Sequence, residues 1–156
     1  MDDVRSKLEE VVAALNEAIG GELTAETMGR LNSDQITLLS WQLLHDEVMV
    51  GGFVQLIHNG YGPFVFKSPL AKALRLWGLR DLSKLIYSAH TLYEKYHTEI
   101  ERDCTDEEFM ALFEQYPEFD DLDDTFVEQE EAWTEQIAQY VEEHKERFAE
   151  KLQIKN

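Results

Sequence analysis

The sequence predicts an all-α protein of about seven helices in a single compact domain spanning residues 1–156. Apolar side chains recur at three- and four-residue steps through most of the chain, and Gly, Pro or capping residues separate these stretches. No stretch shows the sustained polar–apolar alternation of a strand. A chain of 156 residues is long enough to bury one substantial core but not two independent ones.

The first predicted helix is amphipathic and covers residues 2–19. Gly20 and Gly21 end it, because glycine adopts the left-handed closing conformation cheaply. Thr24 then caps a short turn over residues 25–31. The apolar positions of the first helix are Val4, Leu8, Val11, Val12, Leu15 and Ile19.

A long central helix is predicted next, within residues 34–59, with Ser33 or Asp34 as its cap. Gly51 and Gly52 end or kink it, since two adjacent glycines forfeit roughly 2 kcal/mol of helix propensity. The short apolar segment that follows, up to Asn59, must be held by packing. The predicted buried stripe is Ile36, Leu39, Leu43 and either Leu44 or Val48, with Trp41 near its edge.

Residues 59–69 are rich in Gly and Pro and predict a loop, with a small extended excursion at residues 64–66 as a weaker alternative. Ser68 and Pro69 open the next helix, because proline suits the first helical position. Gly78 ends that helix, and Asp81 begins a longer one that runs to about His97.

Thr105 and the acids after it form a capping signature for a further helix, which Pro117 breaks. The last helix is predicted to start between Asp121 and Thr125 and to reach about Leu152. Its buried positions are Phe126, Trp133, Ile137, Tyr140, Val141, Phe148 and Leu152.

Negative charge is concentrated in the last third of the chain. Lys and Arg total 14 against 32 Asp and Glu, for a net charge of −18. Residues 1–98 hold 12 acids and 9 bases, whereas residues 99–156 hold 20 acids and 5 bases. This balance excludes nucleic acid and anionic membranes as partners, because binding phosphates requires a surplus of cations. The densest acids are Glu118, Asp120, Asp121, Asp123, Asp124, Glu128, Glu130, Glu131 and Glu135.

These nine carboxylates have two interpretations. Charge runs are commonly solvated helix faces, and acids are favoured at helix N-termini by the helix dipole. A solvated face usually interleaves Lys with Glu four residues apart, however, and this stretch omits the cations. The sharper hypothesis is that the carboxylates imitate a phosphate array and occupy a basic DNA-binding surface.

Two motifs of the chain resemble a bacterial DNA-mimic protein family, a helical domain of unknown function with a GGFxQ…N motif. The first motif is an acidic residue, Gly-Gly-Phe, Gln and Asn; the second is Leu122, Asp123, Asp124 and Phe126. The resemblance covers about residues 30–150 and implies an all-helical fold and, for a member, occupation of a transcription regulator's DNA-binding surface. We expect the first motif to be architectural. Its residues are Glu47, Gly51, Gly52, Phe53, Gln55 and Asn59.

Two functions therefore stay open. The first is an acidic protein-binding module that competes with DNA for a basic DNA-binding protein, such as a transcription regulator. The second is a helical adaptor or immunity-type protein that binds through the Gly51–Pro63 region, with its acidity serving solubility only; alteration of Tyr61 or Phe64 should weaken such binding. The sequence also leaves a homodimer open.

No enzyme motif is recognisable, and we predict no catalytic residue, cofactor or metal. His90, Glu94, His97 and Glu101 share one helix face, but a carboxylate-bridged metal bundle needs a second Glu-x-x-His step, which is absent. The single cysteine, Cys104, excludes an intramolecular disulfide and fits a reducing compartment. With no signal-peptide layout and no apolar run of ~20 residues, a cytoplasmic protein is expected.

Overall fold

The computed structural model describes residues 2–21 and 24–149 and confirms the all-α prediction, since these residues form helices and no strand. The predicted burial of Val4 and of Leu152 lies outside the described side chains. The described residues form nine α-helices rather than about seven, and six of them have seven or more residues. The helices are α1 (Asp2–Ala18), α2 (Ala25–Met28), α3 (Ser33–His58), α4 (Gly62–Phe66), α5 (Leu70–Leu76), α6 (Arg80–Glu101), α7 (Asp106–Gln115), α8 (Asp120–Glu143) and α9 (Lys145–Phe148), with a 3-10 turn at Pro117–Phe119.

The two additional helices correct the predicted boundaries. Helix α4 lies where a loop or an extended excursion was expected: Pro63 is at the start of a single turn, and the burial of Val65 and Phe66 holds that turn. The last predicted helix is interrupted at His144, whose φ of −126° is not helical, so α9 is separate from α8. Helix α6 also continues four residues beyond the predicted end.

The cap of α3 is Asn32, not Ser33 or Asp34. The Asn32 side-chain oxygen accepts the backbone N–H of Gln35 at 2.8 Å, and the Gln35 side-chain oxygen accepts the backbone N–H of Asn32 at 2.9 Å. This is a capping box built with Asn and Gln. The amide of Asn32 also donates to the carbonyl of Arg147 at 2.7 Å, so the cap ties α3 to α9.

We expect the substitution Asn32→Ala to lower the free energy of unfolding by about 1–2 kcal/mol, because it removes the cap and the bond to α9. Urea denaturation followed by circular dichroism measures this. Ser33→Ala is the control, since the exposed Ser33 side chain caps nothing in the structure, and it should cost a few tenths of a kcal/mol. Equal losses in both variants would contradict the assignment of the cap.

The chain divides into two compact units, and the first comprises Met1–Gln42 and Glu131–Asn156. Its part of α3 is buried around most of its circumference, so Leu38 and Trp41 belong to the core. The prediction that Trp41 lies near the edge was wrong, because a single periodic stripe underestimates a helix that is covered on several sides. Apolar residues from α1, α8 and α9 complete this core: Leu8, Val12, Leu15, Ile19, Trp133, Ile137, Val141 and Phe148.

The second unit comprises Leu43–Glu130, and Phe53 is the centre of its aromatic core. The Phe53 ring lies 6.3 Å from Phe66, 6.4 Å from Phe119 and 6.5 Å from Phe126, measured between ring centroids. Phe66 in turn packs against Tyr93 of α6 at 4.8 Å. Phe53 therefore joins the end of α3 to α4, to the 3-10 turn and to α8.

The predicted break at Gly51 and Gly52 is a sharp kink inside α3. Gly52 has φ 71° and ψ −174°, a conformation essentially restricted to glycine. Beyond the kink the chain approaches the earlier part of the helix, since the side chains of Glu47 and Asn59 are in contact. Twelve residues of straight helix would separate them by about 18 Å. The kink thus places Phe53 in the core and brings the motif residues together.

Candidate protein-interaction surface

The structure separates the nine carboxylates of the predicted acidic surface into exposed and inward-facing groups. Within the second unit, Glu118, Asp120, Asp121, Asp124 and Glu128 are exposed. Glu131 and Glu135, in the part of α8 that belongs to the first unit, are also exposed. The two remaining acids, Asp123 and Glu130, are directed toward α3.

Asp123 holds the kink in place. Its carboxylate accepts the backbone N–H of Phe53 at 2.9 Å, and this donor has no helical partner because the helix restarts there. Burial raises the pKa of Asp123 from 3.8 to about 6, while the Phe53 hydrogen bond opposes the rise and the charges of Asp120 and Asp124 add to it. Asp123 is therefore a structural carboxylate beneath the acidic surface.

Glu130 is the second inward-facing acid, with a relative exposure of only 7%. Its carboxylate lies 2.8 Å from Nε2 of His45, and Nδ1 of the same ring lies 3.0 Å from Asp46. The His45 ring also lies 6.4 Å from the Phe126 ring. Glu130 therefore connects α8 to α3 and contributes no exposed charge.

Four exposed carboxylates, Asp120, Asp121, Asp124 and Glu128, form what we call the acidic ridge. At about 100° per residue, their positions fall within a stripe about 100° wide on α8. No described Lys or Arg forms an ion pair with any of the four. They span about 12 Å of helix axis, or one charge per ~4 Å of axis, which is close to the one phosphate per ~3.4 Å of duplex axis that each strand of DNA presents.

Glu118 precedes the acidic ridge and is already engaged. The Tyr96 hydroxyl donates a hydrogen bond to its carboxylate, and this bond, together with nearby Lys95, holds the pKa of Glu118 below its usual value. The Tyr96 ring packs against Tyr116 with centroids 4.9 Å apart. Glu118 thus anchors the 3-10 turn to α6.

The first motif surrounds the kink. One oxygen of Glu47 accepts the amide of Asn59 at 2.6 Å, and the other lies 3.4 Å from the amide of Gln55. Gly51 leaves room for Gln55, because a Cβ at position 51 would lie 2.1 Å from its side-chain oxygen. A Cβ at position 52 would likewise lie 2.3 Å from a carboxylate oxygen of Asp123, so Gly52 leaves room for that side chain. The residues of the first motif therefore contact one another, or leave room for one another, around the kink in α3.

The Gly51–Pro63 region, the binding site of the alternative hypothesis, is filled largely by packing. A Cβ at Gly62 would lie 2.3 Å from the ring of Tyr93, so α4 approaches α6 closely there. Nδ1 of His58 donates to the carbonyl of Ile100 at 2.8 Å, and Nε2 of the same ring lies 3.9 Å from the sulfur of Cys104. Tyr61 and Phe64 are half-buried.

The histidines of α6 pair with carboxylates on their own helix. His90 lies 3.2 Å from Glu94, and His97 lies 2.7 Å from Glu101. Among the residues that the structure describes, no group of three or more His, Cys, Asp or Glu side chains is placed to hold a metal ion. None of the helices described here is long and apolar enough to cross a bilayer.

These features define a class: all-helical acidic proteins whose long helix carries exposed carboxylates beside a glycine-kinked helix. The chain belongs to the DMP19-like protein family, whose model matches residues 29–144, close to the core of residues 30–150 expected from the two motifs. It is 35% identical over 125 residues to "DNA mimic protein DMP19" of Neisseria meningitidis serogroup B. That match covers 80% of this chain and 76% of the relative. The resemblance drawn from the motifs is confirmed.

Proposed function

We propose that this protein is a DNA mimic whose acidic ridge occupies the DNA-binding surface of a basic protein such as a transcription regulator. The observation that carries the proposal is the run of four exposed carboxylates on α8 with no described cation paired to them. Such a surface retains its full charge until a cationic partner arrives. The printed name of the relative from Neisseria meningitidis supports the same role.

The electrostatics favour a DNA-binding partner over an arbitrary basic protein. From Asp103 to His144 the sequence contains no Lys or Arg, so no cation of this stretch offsets the charge of the acidic ridge. Along the helix axis, the charges of the acidic ridge are spaced much like the phosphates of one DNA strand along the duplex axis. A protein groove that binds a DNA strand therefore meets negative charges at similar axial intervals. Association should be fast and strongly salt-dependent.

The test is competition with DNA. Proteins retained by the immobilised chain are purified singly and bound to a short fluorescent duplex, and anisotropy measures whether the chain displaces that duplex. We expect displacement by the wild-type chain, and at least tenfold weaker displacement by the triple variant Asp120→Asn, Asp121→Asn, Asp124→Asn at ~0.1 M salt. Three contacts of about 0.5 kcal/mol each account for a tenfold loss.

The matched control neutralises three exposed acids of the first unit, with the substitutions Glu9→Gln, Glu17→Gln and Glu26→Gln. This variant has the same net charge as the triple variant of the acidic ridge and should displace DNA like the wild type. Asp123 is left intact in both variants because it supports the kink. Equal weakening in the two variants, or failure of every retained protein to release its duplex, would overturn the proposal.

A further inference from the structure

An exposed apolar strip lies beside the acidic ridge. The second-unit parts of α3 and α8 run antiparallel, since His45 contacts Glu130 at one level and the Phe53 backbone contacts Asp123 at the other. Midway between these two contacts, Met49 of α3 and Val127 of α8 stand at the same level. Met49 has a relative exposure of 38%, Val127 of 53% and the adjacent Val50 of 80%.

Helical geometry places Met49 and Val127 together on the solvent side of the line where the two helices meet, whereas Val50, about 100° further around α3 than Met49, faces away from α8. On α8, Phe126 and Val127 flank the inward-facing acids on opposite sides, about 100° apart. On α3, Val48 and Met49 flank His45 in the same way. Phe126 and Val48 are both buried, so both lie on the core side. Met49 and Val127 are both exposed and therefore share the other side, and we call Met49 and Val127 the apolar seam.

Carboxylates border the apolar seam along both helices. Asp120 and Asp124 lie on the solvent side of α8, and Asp46 lies on the solvent side of α3, all exposed. On the described second-unit parts of α3 and α8, the exposed charged side chains are all carboxylates. An apolar centre with a charged rim is the usual arrangement of a protein–protein interface.

We propose that the apolar seam docks an apolar side chain of a cationic protein, one that displays this side chain between its Lys and Arg residues. This inference rests on the proposed function and names the chemistry of the partner's contact surface. DNA has no such side chain, so the apolar seam would give the protein a contact that the imitated nucleic acid lacks. It supplies binding that salt does not screen, since burial of apolar surface is independent of the Debye length.

Charge complementarity selects a cationic partner rather than a second copy of this chain. Two copies joined at their apolar seams would bring the carboxylates of Asp46, Asp120 and Asp124 from both copies together. Like charges at an interface cost several kcal/mol unless cations separate them. A partner with Lys and Arg around its apolar side chain meets each of these carboxylates with an opposite charge.

The experiment uses two helical peptides as probes, with Lys and Arg along one face and either Phe or Ala at the centre of that face. Fluorescence anisotropy measures their affinities for the full chain from low salt to ~0.5 M salt, where the charges are screened. We expect the Phe peptide to bind about tenfold more tightly than the Ala peptide across this range. The double variant Met49→Gln, Val127→Gln should remove this advantage without changing the dependence on salt.

Leu76→Gln is the control, since Leu76 is an exposed apolar residue of the second unit on a different helix, α5. It should leave the Phe advantage intact. Equal binding of the two peptides, or a Phe advantage that survives in the double variant, would overturn the role of the apolar seam while the proposed function stands. If neither peptide binds at low salt, the acidic ridge itself fails and both proposals fall.

Analytical ultracentrifugation of the same variants tests the competing occupant. If the wild-type chain self-associates and Met49→Gln, Val127→Gln alone abolishes this, the apolar seam joins two copies and the proposal is overturned. An unchanged sedimentation profile in the double variant, together with the lost Phe advantage, supports docking of a cationic protein.

Discussion

Replacement of Gly52 by alanine is expected to lower the free energy of unfolding by about 3–5 kcal/mol. The φ of 71° and ψ of −174° at this position lie where an L-residue costs of order 1–3 kcal/mol. The new Cβ would also stand 2.3 Å from the Asp123 carboxylate and displace it. The Phe53 N–H would then lose its acceptor, at a further cost of about 1–3 kcal/mol. Urea denaturation at neutral pH measures the total.

Gly60→Ala separates the two contributions. Gly60 also has a positive φ, 85°, but a Cβ there meets no atom within 4 Å. It should cost only the backbone strain, about 1–2 kcal/mol. If Gly52→Ala were no worse than Gly60→Ala, the contact between position 52 and Asp123 would contribute nothing to stability. A loss as large as expected would consume a large part of the 5–15 kcal/mol that stabilises a typical domain.

The sequence predicts helices well where local signals suffice. Thr105 and Glu108 form the predicted capping box, with the Thr105 N–H donating to Glu108 at 3.0 Å and the Glu108 N–H donating to Thr105 at 3.2 Å. The kink at Gly51 and Gly52 follows from glycine alone. Helix α4 could not be found this way, because five residues are too few to show a period and the contacts that hold it come from α6.

Distinguishing the structural carboxylates from the exposed ones depends on contacts distant in sequence. The partner of Asp123 is 70 residues away, and the partner of Glu130 is 85 residues away. One local signal did exist: Asp123, Phe126 and Glu130 occupy positions i, i+3 and i+7, so both acids stand on the apolar face of α8. Charge counting treats all nine acids alike and misses this placement.

The apolar seam could not be predicted either, because it depends on two helices together and not on the pattern of each helix alone. Met49 and Val127 are ordinary apolar residues in the sequence, and periodicity assigns such residues to the core by default. Their exposure becomes evident only when the level and the facing sides of α3 and α8 are known, which requires both contacts between these helices. The predicted acidic surface thus acquires an apolar border that composition could not indicate.

The second large effect is a pH dependence that Asp123 imposes on stability. Its pKa is raised to about 6 in the folded protein, above its ordinary value of 3.8, so the native state binds more protons than the unfolded state between these values. This contribution to stability is therefore greatest below pH 4 and is lost as pH rises to about 6. A shift of two pKa units corresponds to about 3 kcal/mol. The Asn side chain of Asp123→Asn can still accept the Phe53 N–H but does not ionise. We therefore expect this variant not to lose stability for this reason as pH rises to about 6.

Denaturation of wild type and Asp123→Asn at intervals from pH 4 to pH 7 tests the sign and the size of this pH dependence of the free energy of unfolding. All other carboxylates are common to both proteins, so the difference between the two curves isolates Asp123. The variant should gain up to about 3 kcal/mol relative to wild type as pH rises through this window. Asp124→Asn is the control, because Asp124 is exposed and its charge contributes least to the raised pKa of Asp123, so its curve should follow the wild type closely. Parallel curves for wild type and Asp123→Asn would mean that Asp123 is solvated in the native protein and that the kink does not depend on a buried carboxylate.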